Sequence, residues 1–336
     1  MMTTHCFVAL TAIALSVTPA LSDPPDAEGW IPVAGFARGE DTGRLGNTHG
    51  GVAIDSKGLI YSNTDTERSI VVHRPDGRFV HAIAGEYPGI HGMVIRREGD
   101  EEFIYAAHLA GRQILKLKLD GTPIWSIGLP TESGKYDDDA NAYNPTGIAV
   151  GPDGRIYVAD GYGRQWIHVF APDRTYLTSF GGPGTEPGLF RTCHGLAIDA
   201  RGDTPTLLVC DRENRRVQRF SLDGDFIDVP VEGLRRPCAI GISGDEMAIA
   251  ELEGRVTLLD ENFELIDHVG TNSNRNQWAR NGIPESDWID GVFLSPHGCA
   301  LDADGNLYVS DWNGTGRLSK MERVNGEPSI KTPAED

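Results

Sequence analysis

The chain has 336 residues and a formal net charge of −19, with 39% hydrophobic and 24% charged residues. That length admits two ordinary domains or one large all-β domain. The acidity argues against nucleic acid and anionic lipid as partners.

Taken in chain order, the first element is a leader. Phe7 to Val17 is an apolar run, too short to span a bilayer, and Ala20-Leu21-Ser22 follows with small residues at its first and third places. This is the layout of a signal peptide over residues 1–22, although its start carries His5 and no Lys or Arg. It predicts a secreted or periplasmic protein. No later segment is long and apolar enough for a membrane span. Four cysteines follow the leader, Cys193, Cys210, Cys238 and Cys299. An oxidising compartment permits disulfides among them, but small buried thiols are an equal reading.

Next comes Trp30-Ile31-Pro32-Val33-Ala34-Gly35, a short strand ending in Gly. It resembles the later strands His81 to Gly85 and Trp125 to Gly128. After it a unit begins to recur. Each unit has a small or His residue, Gly, alternating apolar residues, an Asp-x-x-Gly turn, a short second strand ending in Asp and then a polar stretch. Two more strands follow, joined by a tight turn. Pro145 to Asp160 shows the first half clearly, then Trp166 to Phe170 and Tyr176 to Gly181 complete the unit. The two-residue alternation is that of strands, and the tight turns join neighbours. Four strands per unit, repeated, make a propeller blade.

The entrances of the first strands align at His49, His91, Thr146, His194, Cys238 and His297. Six units follow, so the fold class is all-β, a six-bladed β-propeller over 23–326. The last unit shows three strands ending near Val324. The N-terminal strand therefore completes the last blade and closes the ring, removing exposed sheet edges. Residues 327–336 form a tail. Two long insertions interrupt the pattern, Pro130 to Asn144 and Thr271 to Pro296. Both run into a first strand and so lie near the face of the aligned histidines. The second, with Arg275, Trp278, Arg280 and Trp288, reads as a substrate rim or lid.

First strands line the central channel, and the matched positions come to one level around it. Four of those six positions are histidine. Neutral imidazoles converging in this way suit a metal, and three with an open fourth position suit catalytic zinc. Copper or iron would accept the same nitrogens. His91, His194, His297 and His49 are thus candidate ligands. His73, His81, His168 and His268 fall on third or fourth strands or their turns and are expected at the surface. A second matched set closes the second strands: Thr64, His108, Asp160, Asp211, Glu251 and Asp311. These read as anchors for the loops. Tyr162, two places after Asp160, is a candidate proton carrier, and Arg212, directly after Asp211, a candidate carboxylate binder.

The blade pattern resembles the NHL-repeat propellers. Within that group the chain resembles the lyase domain of peptidyl-glycine α-amidating enzymes. The resemblance rests on Tyr157-Val158-Ala159-Asp160-Gly161-Tyr162, Cys193-His194-Gly195-Leu196-Ala197 and Asp211-Arg212-Glu213-Asn214. It implies a zinc ion on His91, His194 and His297, catalysis by Tyr162 and Arg212, and cleavage of a peptidyl α-hydroxyglycine to an amide and glyoxylate. The chain also departs from the family. Its second arginine has no match at Ser62-Asn63-Thr64-Asp65, where Arg68 is nearest. Gly298 stands where the family has a calcium-binding Asp, so calcium is not expected. The family's cysteine pairs do not match, no monooxygenase domain accompanies the propeller, and His49 is an additional histidine. The resulting expectation is a monomeric, metal-dependent, lyase-like enzyme acting on a small molecule or peptide. The alternatives are a metal-dependent hydrolase on the same fold and a propeller that binds partners without catalysis.

Overall fold

The computed structural model describes residues 29–137 and 139–324. The expected leader, 1–22, and tail, 327–336, lie outside the described residues. Six four-stranded antiparallel sheets are arranged as the blades of a propeller. Blade three runs through Gly147–Val150, Ile156–Ala159, Trp166–Phe170 and Tyr176–Gly181, as the alternation predicts. Among the described residues the only helices are five three-residue 3₁₀ turns. None is long and apolar enough to cross a membrane.

The ring closes as expected. Trp30–Pro32 pairs antiparallel with Arg317–Arg323, so the N-terminal strand supplies the outer edge of the blade built from Pro296–Leu301 and Leu307–Asp311. The Val33 amide extends the pairing to the Lys320 carbonyl at 3.0 Å. The apolar core lies between blades rather than in one central mass. Between blades five and six, for example, Ala248, Leu258, Phe293, Leu307, Val309 and Met321 pack together.

This packing corrects one expectation. His73, His168 and His268 are not surface residues; each is at most 1% exposed, and only His81 is exposed. A blade is covered on both faces by its neighbours, so the polar positions of its strands are buried too. His168 and His268 are satisfied by polar partners instead, whereas His73 Nδ1 is buried without one. His168 meets Ser179 Oγ at 2.7 Å and Tyr136 Oη at 2.6 Å, and His268 meets Thr257 Oγ1 at 2.9 Å and Arg255 Nη1 at 3.2 Å. His73 has Thr42 Oγ1 at 3.5 Å. The four cysteines are all buried free thiols.

The second matched set anchors loops. Asp160 accepts from the amides of Asn144 and Arg164 at 2.6 Å each, and from Tyr136 Oη at 2.8 Å. Tyr136 and Tyr143 thereby hold the first insertion as a packed element, at 2% and 0% exposure. Asp211 accepts from the Arg191 amide, and Asp311 from those of Leu294 and Ser295. Each carboxylate fixes the segment that delivers the first strand of its own blade to the channel.

Candidate metal centre

Five of the six matched positions, all but Thr146, sit at an irregularity of their strand pair. Register shifts fall at His91, between Ile90 and Gly92, and at His297, between Pro296 and Gly298. Similar shifts span His49, His194 and Cys238. A bulged residue drops out of the ladder and its side chain is re-aimed, here into the channel. The glycine after the histidine has its own cause. A Cβ on Gly92 would overlap the Thr146 carbonyl oxygen, and one on Gly195 the Cys238 carbonyl oxygen. Those same carbonyls accept from His91 Nδ1 and His194 Nδ1, each at 2.7 Å. Each imidazole is thus oriented by the backbone of the next blade, with its Nε2 left for the channel.

Four rings gather there. The centroid separations are 4.8 Å for His91–His194, 4.9 Å for His91–His297, 4.6 Å for His194–His297, 4.7 Å for His49–His91 and 5.0 Å for His49–His297. Ligand atoms of His49, His91 and His297 lie within 4.8 Å of one another, as do those of His194, Cys238 and His297. Burial, followed by the neighbouring ring or Arg212, holds His91, His194 and His297 well below the usual histidine range. All three are therefore neutral at pH 7, the form that binds metals. His91 Nε2 and His297 Nδ1 are buried without a hydrogen-bond partner, a state that buried polar atoms seldom keep. Neutral imidazoles with unused buried nitrogens fit a divalent metal ion.

Tyr162 and Arg212 join this cluster. Tyr162 Oη lies 3.1 Å from His194 Nε2 and accepts from Arg212 Nη1 at 3.0 Å. Burial raises the Tyr162 pKa, and the Arg212 charge works against the rise. Glu213 takes Arg212 Nε at 3.0 Å and Arg236 Nη2 at 2.5 Å, holding two guanidinium groups with one carboxylate.

The structure brings together His49, His91, His194, His297, Tyr162 and Arg212. The second-insertion residues make contacts of their own, apart from this cluster. Trp278 donates to the Asn272 carbonyl at 2.8 Å and lies between Arg275 and Arg235. Trp288 donates to the Ile283 carbonyl and is flanked by Arg38 and Arg317. The Arg280 backbone is tied to Ser295. Sequence reasoning passed over Asp65, Trp312 and Arg236, and placed Cys238 in the ring without giving it a role. His49 Nδ1 faces Asp65 at 3.6 Å, and its ring is 6.0 Å from that of Trp312. A signal for two of these was present: Asp65, Arg212 and Trp312 each directly follow the matched end of a second strand.

Fold and site together define the class: a six-bladed β-propeller with a histidine-lined channel centre. Residues 143–170 match the NHL repeat family. The chain is 31% identical over 237 residues to a probable peptidyl-alpha-hydroxyglycine alpha-amidating lyase of Caenorhabditis elegans, covering 68% of this chain and 62% of that one. It is 32% identical over 144 residues to peptidyl-glycine alpha-amidating monooxygenase B of Xenopus laevis, which is 41% of this chain but 16% of that protein. The matched region is thus a small part of the length of the amidating monooxygenases. Among solved structures, a streptogramin B lyase superposes with a TM-score of 0.57 at 14% identity, covering 88% of this chain and 98% of that chain. A gluconolactonase of Xanthomonas campestris gives 0.59 at 15% identity, covering 92% and 99%. Those two likenesses concern the fold alone.

Proposed function

We propose that the protein is an exported, monomeric, metal-dependent lyase that cleaves an α-hydroxyglycine-type substrate at the channel centre. The observation that carries this reading is the Tyr162 hydroxyl set between His194 and Arg212, beside imidazoles from four blades. His91, His194 and His297 would hold the metal, with zinc the first choice over copper or iron. A bound divalent ion supplies a Lewis acid for the substrate's oxygen. The similarity to a probable amidating lyase supports the substrate class.

The chain's own residues handle charge and protons. Arg212 and Arg236 share one carboxylate, Glu213, so the rim keeps positive charge for the acid group of the substrate. Tyr162 carries the proton, and Arg212 stabilises its phenolate form. As the substrate hydroxyl loses its proton, its oxygen becomes a carbonyl and the carbon–nitrogen bond breaks. The departing nitrogen regains a proton. The products are an amide and glyoxylate, with no change in oxidation state overall and no water consumed. The rim of the second insertion covers the substrate through Trp278, which meets Arg235 next to Arg236.

The test is glyoxylate release from an α-hydroxyglycine peptide by zinc-loaded protein. Tyr162→Phe is expected to lower kcat by about 10²–10⁴-fold with the fold retained. No release by the loaded parent, or an unchanged kcat in Tyr162→Phe, contradicts the proposal.

A further inference from the structure

We propose that Cys238 is a metal ligand, so that the centre is a mixed imidazole–thiolate site selecting a thiophilic divalent ion. The inference rests on the metal reading above and adds a donor of a different kind. Cys238 occupies the blade-five position of the ring that carries histidine in four other blades. It lies at the same kind of register shift, between Pro237 and Ala239. Its sulfur stands with His194 and His297 as three ligand atoms within 4.8 Å of one another.

A buried cysteine alone carries no such meaning, and the other three show why. Cys193, Cys210 and Cys299 pack in the apolar clusters between blades. Cys299 is also turned toward backbone, with the Ala248 carbonyl at 3.4 Å. Cys299 also borders the channel cavity, but Cys238 alone of the four is outside those clusters and lines that cavity with His91, His194 and His297. Its hydrogen bond to protein is weak, to the Arg236 carbonyl at 3.6 Å. Beside it His297, 2% exposed, keeps an Nδ1 with no hydrogen-bond partner. A metal ion between His194, His297 and Cys238 would satisfy that nitrogen. On binding, the thiol proton leaves to solvent and the sulfur lone pair forms the metal bond, with Arg212 countering the thiolate charge. A thiolate beside imidazoles favours zinc, cobalt or copper over magnesium or calcium.

The experiment is cobalt(II) loading of the full protein, followed by absorption spectroscopy. The parent should bind cobalt and show the intense near-ultraviolet sulfur-to-cobalt charge-transfer absorption. Cys238→Ser should lose that absorption yet keep the weaker visible bands of histidine-bound cobalt, whereas Cys299→Ser should keep both. A parent that binds cobalt without the charge-transfer absorption overturns this inference and leaves the histidine site standing. So does an absorption that survives Cys238→Ser. A parent that takes up neither cobalt nor zinc overturns the metal reading and this inference with it. X-ray absorption of the zinc-loaded parent needs no variant to fold. It should contain a sulfur scatterer at about 2.3 Å, and a shell of nitrogen and oxygen alone at about 2.0–2.2 Å contradicts it.

Discussion

Removing the Asp311 carboxylate should destabilise the fold severely and loosen His297. Asp311 is fully buried, accepts from the amides of Leu294 at 3.0 Å and Ser295 at 2.7 Å, and faces Arg317 Nη1 at 3.3 Å. Arg317 is itself only 2% exposed. Burial raises the Asp311 pKa, with Arg317 and the two amides opposing, and burial lowers that of Arg317. Both directions mark charges whose desolvation is only partly offset. Asp311→Ala leaves the guanidinium buried with the Ile289 carbonyl and the Trp288 ring as neighbours. Stranding one member of a buried pair costs about 3–5 kcal/mol. The two abandoned amides add to this, so a total near 5 kcal/mol is expected, about 8 °C in Tm for a domain of this size. Thermal and urea unfolding followed by tryptophan fluorescence measure it. Adding Arg317→Met removes the stranded charge and should restore about 1–3 kcal/mol relative to Asp311→Ala alone. A loss below about 1 kcal/mol in Asp311→Ala, or a double variant less stable than the sum of the singles, refutes the reasoning.

Two other predictions concern pH and close packing. Burial first, then the Arg68 charge, lowers His73 to about 4, with Asp41 opposing. An unfolded histidine titrates near 6.5, so between about pH 4 and 6.5 the unfolded chain holds a proton that the folded one does not. Stability therefore falls as pH falls through that window, and His73→Gln should flatten the fall by up to about 1.4 kcal/mol per pH unit. Equal slopes for parent and variant in urea unfolding between pH 4 and 7 would contradict this. Gly195→Ala should destabilise by about 1–3 kcal/mol or more, because the new methyl meets backbone, the Cys238 carbonyl, rather than a movable side chain. An unchanged Tm would show that the blades have slack at this level.

The ring of first strands was legible because its signal is local and repeated. A histidine followed by Gly at the head of an apolar alternation recurs at His49, His91, His194 and His297, and a bulge with a close-approaching carbonyl explains that pair. The closing strand was legible because Trp30 to Gly35 looks like a fourth strand. Burial was less so. Ile70–His73 reads as three apolar residues ending in a polar one, yet all four, His73 included, are buried because the blade is sandwiched. That is why His73, His168 and His268 were misplaced at the surface. The roles of Trp278 and Trp288 were not readable either, since their arginine neighbours, Arg235, Arg38 and Arg317, come from distant parts of the chain. Cys238 stood in register with the histidines, but its residue type concealed its place at the centre.

The central claim is that the channel histidines form a metal site. It is tested most directly by metal analysis of protein purified without added metal, compared with His194→Ala of the same thermal stability. The account predicts about one equivalent of a transition metal, zinc foremost, in the parent and little in the variant. A parent free of metal that also fails to take up zinc on addition, or a variant that binds as much as the parent, would contradict it.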